Sequence, residues 1–100
     1  MAEPQIPIPE KQVAEFCQRN QIRTLSLFGS VLREDFGPDS DVDVLVEFES
    51  EARIGFMALG RMQRELADLF GRRVDVVPWD GLKPQIRDSV LGSSRVLYAA

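Results

Sequence analysis

The chain has 100 residues, 44% hydrophobic and 28% charged, which suits one globular domain with a modest core and little area for a second lobe. A formal net charge of −4 disfavours free nucleic acid as the main partner, and the absence of histidine removes His-based triads, imidazole zinc sites and histidine acid–base chemistry. The single cysteine, Cys17, precludes an internal disulfide and fits a reducing cytoplasm.

Residues 1–9 carry three prolines and read as an extended lead-in arm, leaving residues 10–100 as one domain. The arm lacks the basic and apolar regions of a signal peptide, and no apolar run approaches the roughly 20 residues that cross a bilayer. With Pro9 in a first turn, Val13, Phe16 and Cys17 at i, i+3 and i+4 predict a short amphipathic helix to about Asn20. Ile22 to Phe28 alternates Leu25 and Leu27 with Thr24 and Ser26, the pattern of a strand. Gly29-Ser30 breaks it, and Val31 to Phe36 reads as a single short helix beginning at Ser30. Gly37-Pro38-Asp39-Ser40 is a dense turn signal.

Asp41 to Phe48 is the next predicted strand, with Val42, Val44, Val46 and Phe48 on one face and Asp41, Asp43, Leu45 and Glu47 on the other. Leu59, Met62, Leu66 and Leu69 recur at helical spacing before Gly71, predicting a helix over about Ile54 to Phe70. Arg72 to Val77 is a third strand, ended by Pro78-Trp79-Asp80-Gly81. Pro84 to Leu91 forms a short helix closed by Gly92, and Arg95 to Tyr98 a last strand. The order α-β-α-β-α-β-α-β specifies an α+β or α/β domain around one sheet and leaves the strand directions open.

The chemistry concentrates on acids. Asp41 and Asp43 fall on one face of a strand and repel each other when ionised, a conflict that a bound dication resolves. Mg²⁺ takes oxygen ligands and uses one or two carboxylates plus substrate phosphates. Asp75, mid-strand on the face opposite Val74 and Val76, is the best third member. With it, two metals about 3.5–4 Å apart become possible, and its carboxylate is placed to accept or orient the proton of an attacking hydroxyl. Gly29 permits close backbone approach to a phosphate, the helix start after it offers N–H groups, and Ser30 adds a hydroxyl. Arg33, one turn on, reaches the same phosphates or pairs with Glu34 or Asp35.

Each part also has a plainer reading. Gly-Ser before a helix is a common turn, Asp39-Ser40-Asp41 a solvated one, and Asp75 a partner for Arg72 or Arg73. Trp79 and Tyr98 read as half-buried packing residues, and Cys17 as core. Asp43 inside a valine run is the hardest to explain structurally. The combination of strand, Gly-Ser, Asp-x-Asp on the next strand and Asp on a later one is more specific than any part.

Leu27-Phe28-Gly29-Ser30, Arg33 and Asp39-Ser40-Asp41-Val42-Asp43-Val44-Leu45-Val46 resemble the signature of the DNA polymerase β-like nucleotidyltransferase superfamily. Length and tail most resemble its minimal nucleotidyltransferases, across nearly the whole chain. The resemblance implies a nucleotidyltransferase fold with a central mixed β-sheet flanked by helices, two Mg²⁺ ions and ATP or another nucleoside triphosphate. By position, Gly29 and Ser30 match the phosphate-binding pair, and Asp41, Asp43 and Asp75 the metal-binding carboxylates. One departure is Glu34, which follows Arg33 where such proteins often have glycine. Small members pair with a helical HEPN protein, which they neutralise as antitoxins, in some cases by adding AMP. A HEPN-type partner or a homo-oligomer is expected to complete the chain. Two other roles stay open: an antitoxin acting by contact alone, and transfer to a small molecule, for which the short chain offers no acceptor lobe.

Overall fold

The computed structural model describes residues 4, 6–34 and 36–100. The lead-in, parts of which lie outside the described residues, packs Ile6 and Ile8 against the core. Helix α1 spans Glu10–Arg19 and buries Val13, Phe16 and Cys17, the three positions its spacing singled out. Its end is fastened by Asn20, whose Nδ2 donates to the Phe16 carbonyl over 2.8 Å. Gln21 then takes a left-handed conformation at φ 57° and turns the chain into strand β1, Ile22–Phe28.

After β1 the chain makes only a four-residue 3₁₀ turn, Gly29–Leu32, and Arg33 is already extended at φ −116°, ψ 156°. The expected helix to Phe36 does not form, and Ser30 does not cap it. A six-residue helix supplies few hydrogen bonds for the cost of nucleation, and Gly37 precedes Pro38, which biases it away from helical geometry.

Strand β2 covers Val42–Phe48, so Asp41 stands just before it rather than within it. Helix α2, Phe56–Phe70, buries Met62, Leu66 and Phe70, and Gly71 ends it in the left-handed region at φ 67° with its N–H on the Ala67 carbonyl. Strand β3 is Val74–Pro78, helix α3 Pro84–Gly92 and strand β4 Arg95–Ala99. A second 3₁₀ turn, Trp79–Gly81, joins β3 to the segment before α3.

The sheet order is β3-β2-β1-β4. β1 is antiparallel to both neighbours, whereas β2 and β3 run parallel through the α2 crossover, so the sheet is mixed. Residues paired across strands share a face. Leu25 opposite Val46, Leu27 opposite Val44, and Val42 opposite Val74 therefore form one apolar face, which joins Phe16, Met62 and Leu66 from the helices in a single core. The alternate residues Ser26, Phe28, Asp43, Leu45 and Asp75 lie on the other face. Cys17 is fully buried in that core, and burial pushes its thiol pKa up to about 12, which makes it inert packing. Among the described residues, no helix is long and apolar enough to cross a membrane.

Candidate active site

The parallel register pairs Asp43 with Asp75, and the antiparallel register pairs Asp43 with Phe28. Both carboxylates thus share the face of the sheet turned away from the buried valines. Asp43 is half-buried and Asp75 exposed. The Asp43 pKa is raised above the ordinary carboxylate value, first by burial, then by the charges of Asp75 and Asp41, with Arg33 opposing. Phe28 across the strand and Leu45 two residues along supply the apolar surface on that face. The three aspartates act on one point, and Arg33 acts on the same point from the turn after β1.

Gly29 closes the site from the β1 side. Its φ is +78°, and a Cβ there would collide with the Asp43 carboxylate oxygen Oδ2. A side chain at 29 would be strained in its backbone and would displace the carboxylate. A 3₁₀ turn this short sums no appreciable helix dipole, so the expected macrodipole contribution at Ser30 is corrected. The corner rests instead on the bare backbone of Gly29 against Asp43.

The loop before β2 is clasped by two residues that lead into β3, which starts at Val74 rather than at the expected Arg72. Arg72 lies over the Phe36 ring, 4.3 Å from its centroid, and its Nη2 donates to the carbonyls of Gly37 and Ser40. Arg73 donates from Nη2 to the Asp39 carbonyl over 2.7 Å and from Nε to Asp41 Oδ1 over 3.0 Å. The Gly37 N–H donates to Ser40 Oγ, and the Val42 N–H to the Arg73 carbonyl. Both arginines that sequence reading offered to Asp75 are therefore engaged with the loop. Their role as a clasp was missed; the available signal was an arginine pair just before the strand that carries Asp75. Gln63 was missed as well: its Oε1 accepts the Val76 N–H over 3.0 Å and ties α2 to β3.

An all-oxygen donor set on one sheet edge suits a hard dication. So do the raised pKa of Asp43, which reflects burial first and the neighbouring negative charges second, and the glycine cradle beside its carboxylate. The set is not closed: among the described residues no three acidic side chains are drawn together tightly enough to hold an ion, and Asp41 is turned to Arg73. Glu34 is exposed, two residues beyond the 3₁₀ turn.

Comparison with known proteins places the fold and the family. The family model described as "Nucleotidyltransferase domain" matches residues 9–97. The protein adenylyltransferase MntA of Thermococcus cleftensis is 36% identical over 77 residues, covering 77% of this chain and 76% of that protein. A crystal structure described as a toxin–antitoxin with AMP-PNP superposes with a TM-score of 0.75 at 19% identity, over 93% of this chain and 75% of the other. A complex of a tri-AMPylated HEPN toxin of Shewanella oneidensis with its MNT antitoxin superposes with a TM-score of 0.67 at 19% identity, over 91% and 70% of the two chains. At that identity these two structures speak for the fold.

Proposed function

The chain belongs to the nucleotidyltransferase domain family, and from that premise we propose that it moves AMP from ATP to a hydroxyl on a HEPN-type partner protein, acting as that partner's antitoxin. The observation that carries the proposal is the register placing Asp43 beside Asp75, under Gly29 and within electrostatic reach of Asp41. The adenylyltransferase relative and the AMPylated HEPN complex supply the choice of nucleotide and of partner.

In this reading Asp41, Asp43 and Asp75 are the residues that would hold Mg²⁺, two ions when fully loaded. Bound there, Mg²⁺ would offset the charge of the triphosphate and of the departing pyrophosphate. Asp43 stands between the other two, since the charges of both Asp75 and Asp41 act on it. Asp75, exposed on the same face, is open to an incoming acceptor and takes the proton of its hydroxyl. The acceptor oxygen bonds to the α-phosphorus as the bond to the pyrophosphate oxygen breaks, and AMP is left on the acceptor. Gly29, Ser30 and Arg33 hold the phosphates: glycine by letting the backbone come close, serine and arginine by donating hydrogen bonds. Asp41 has one carboxylate oxygen, Oδ1, on Arg73, and would offer the other to the ion or release the pair to do so.

Incubation of the chain with a co-encoded helical partner, Mg²⁺ and α-labelled ATP tests the proposal. Label is expected on the partner with the wild-type chain and not with the Asp41→Asn/Asp43→Asn double variant; equal labelling by both would sink it.

A second reading has one observation in its favour. With Asp41 held by Arg73 and, among the described residues, no closed acidic triplet, the same surface would serve an antitoxin that neutralises by contact with a vestigial site. The double variant separates the two. Contact-only neutralisation survives it, whereas neutralisation by AMP transfer does not.

A further inference from the structure

A cavity of about 480 Å³ opens at the end of the sheet where β2 and β3 stop. Phe48, the last residue of β2, and Trp79, the first after β3, line it together with Ile54 and Leu59. Asp43 and Phe48 are five residues apart on β2. At a strand's rise of roughly 3.3 Å per residue, the cavity lies roughly 16 Å from the aspartates. None of its lining residues belongs to the candidate active site.

The rim of this cavity is apolar and bare. Leu59, Met62 and Leu66 form the inward stripe of α2. Phe56, three residues before Leu59, continues that stripe by one turn. Met62 is 2% exposed, whereas Phe56 is 93% and Met57 90% exposed. At its first turn, therefore, α2 runs past the body of the domain, and a position of core character has nothing beneath it. Ile54 and Leu59 flank these two residues in the chain and line the cavity, so Phe56 and Met57 extend its apolar wall outwards. Exposed apolar surface that continues a cavity marks a contact with another macromolecule.

The polar part of the lining selects the kind of macromolecule. Glu47, Glu49 and Asp80 stand around the cavity against one arginine, Arg23. None of the three carboxylates is salt-bridged among the described residues. A second copy of this chain, itself of net charge −4, would bring the same carboxylates face to face in a two-fold contact. A nucleic acid would bring phosphates against them. Complementary charge belongs to a protein segment that carries lysine or arginine beside apolar side chains. An amphipathic helix laid against the cavity mouth offers both.

We propose that this end of the domain is the docking surface for the acceptor protein. Phe56 and Met57 take the apolar side of a basic amphipathic helix of that protein, and Glu47, Glu49 and Asp80 take its cations. This rests on the reading of the chain as one that acts on a helical partner, and adds to it a hold on the partner remote from the aspartates. Binding of the acceptor and transfer to it are thus divided between the two ends of β2.

Calorimetric titration of the full chain with the co-encoded helical partner tests it, using wild type, Phe56→Ser and Glu49→Gln/Asp80→Asn at low and high salt, beside a titration with ATP and Mg²⁺. Phe56→Ser is expected to weaken the partner about tenfold, which is 1.4 kcal/mol. Glu49→Gln/Asp80→Asn should weaken it at low salt, and the difference should shrink at high salt, where screening removes the wild type's advantage. All three proteins should bind ATP alike. Unchanged partner affinity in either variant overturns the docking surface and leaves the nucleotidyltransferase reading intact. A loss for ATP as large as for the partner also overturns it, since the residues would then serve the fold. Sedimentation of the chain alone supplies a further outcome. A wild-type dimer that Phe56→Ser turns into a monomer with normal partner affinity assigns the surface to a second copy and overturns the proposal. A wild-type chain that does not bind the partner overturns both the docking surface and the antitoxin reading.

Discussion

The two faces of β2 are written into one seven-residue segment and differ in nearly every physical respect. Val42, Val44 and Val46 are fully buried against the helices, while Asp43, between them in sequence, points to the other side and sits opposite Asp75. The helix-backed face has dispersion and hydrophobic burial behind it and no unmet polarity. The other face, where Ser26 and Leu45 are buried, holds a half-buried carboxylate beside two others, an arrangement that weakens the fold. On the proposed reading, a bound cation would offset that cost. The division also localises risk: changes on one face should act on stability with the site geometry intact, and changes on the other on activity with the fold intact.

The sharpest way to break this division is Phe16→Ala, from the centre of the core. A loss of about 3–5 kcal/mol is expected, a large part of the roughly 5–15 kcal/mol a domain of this size commands. Urea denaturation should show the midpoint falling with little change in slope. If Phe16→Ala is well tolerated, the helix-backed face is not what holds the sheet.

Asp43→Asn is expected to do the reverse. Transfer should drop on the order of 10³-fold, about 4 kcal/mol in barrier, in the labelling assay. The metal-free variant should be more heat-stable than wild type at neutral pH. The sign follows from the raised pKa of Asp43. The folded state keeps this proton to higher pH than the unfolded chain does. The group's contribution to stability is therefore greatest in acid and is lost as pH rises from the ordinary carboxylate value through the raised one. The thermal advantage of Asn should appear above that interval and vanish below it. A variant less stable than wild type at neutral pH would mean Asp43 is satisfied in the fold, which removes the electrostatic argument for a cation.

Gly29→Ala should fall between these. The left-handed backbone costs a residue with a Cβ about 1–2 kcal/mol, and the methyl group must also push the Asp43 carboxylate aside. A modest fall in melting temperature together with a larger fall in transfer is expected. Stability loss with full activity would separate the glycine from the site.

Much of the fold could be read from the sequence because periodicity reports burial directly. Val13, Phe16 and Cys17 marked the inner side of α1, the alternation from Val42 marked β2, and Gly71 marked the end of α2. Asp43 was conspicuous for the same reason, as a charge in a buried run. Other features depend on who neighbours whom. The pairing of Asp43 with Asp75 needs the strand order and the parallel direction, which no local pattern encodes. The helix expected after Ser30 failed because the chain must return to start β2, and the collision that forces glycine at 29 involves a residue fourteen positions away. Arg72 and Arg73 looked like partners for the neighbouring Asp75, yet both clasp a loop more than thirty residues earlier in the chain.

That clasp gives the smallest effect and the finest test of how the acidic face of the sheet is held. Arg73 and Asp41 are 74% and 51% exposed, so their 3.0 Å pair is well screened. Pairs of this kind are worth about 0.2–1 kcal/mol, and Arg73→Gln should barely move the melting temperature. It should, however, release Asp41. If the pair competes with the cation, Mn²⁺ used as a probe should bind Arg73→Gln more tightly than wild type, by roughly 1.4- to 5-fold, which is that same energy expressed as a ratio. The difference should shrink in high salt, which weakens the pair in the wild type. Weaker Mn²⁺ binding in the variant would carry the opposite lesson: Arg73 would then hold Asp41 where the cation needs it. The acidic face would owe its geometry to a cation of the protein's own.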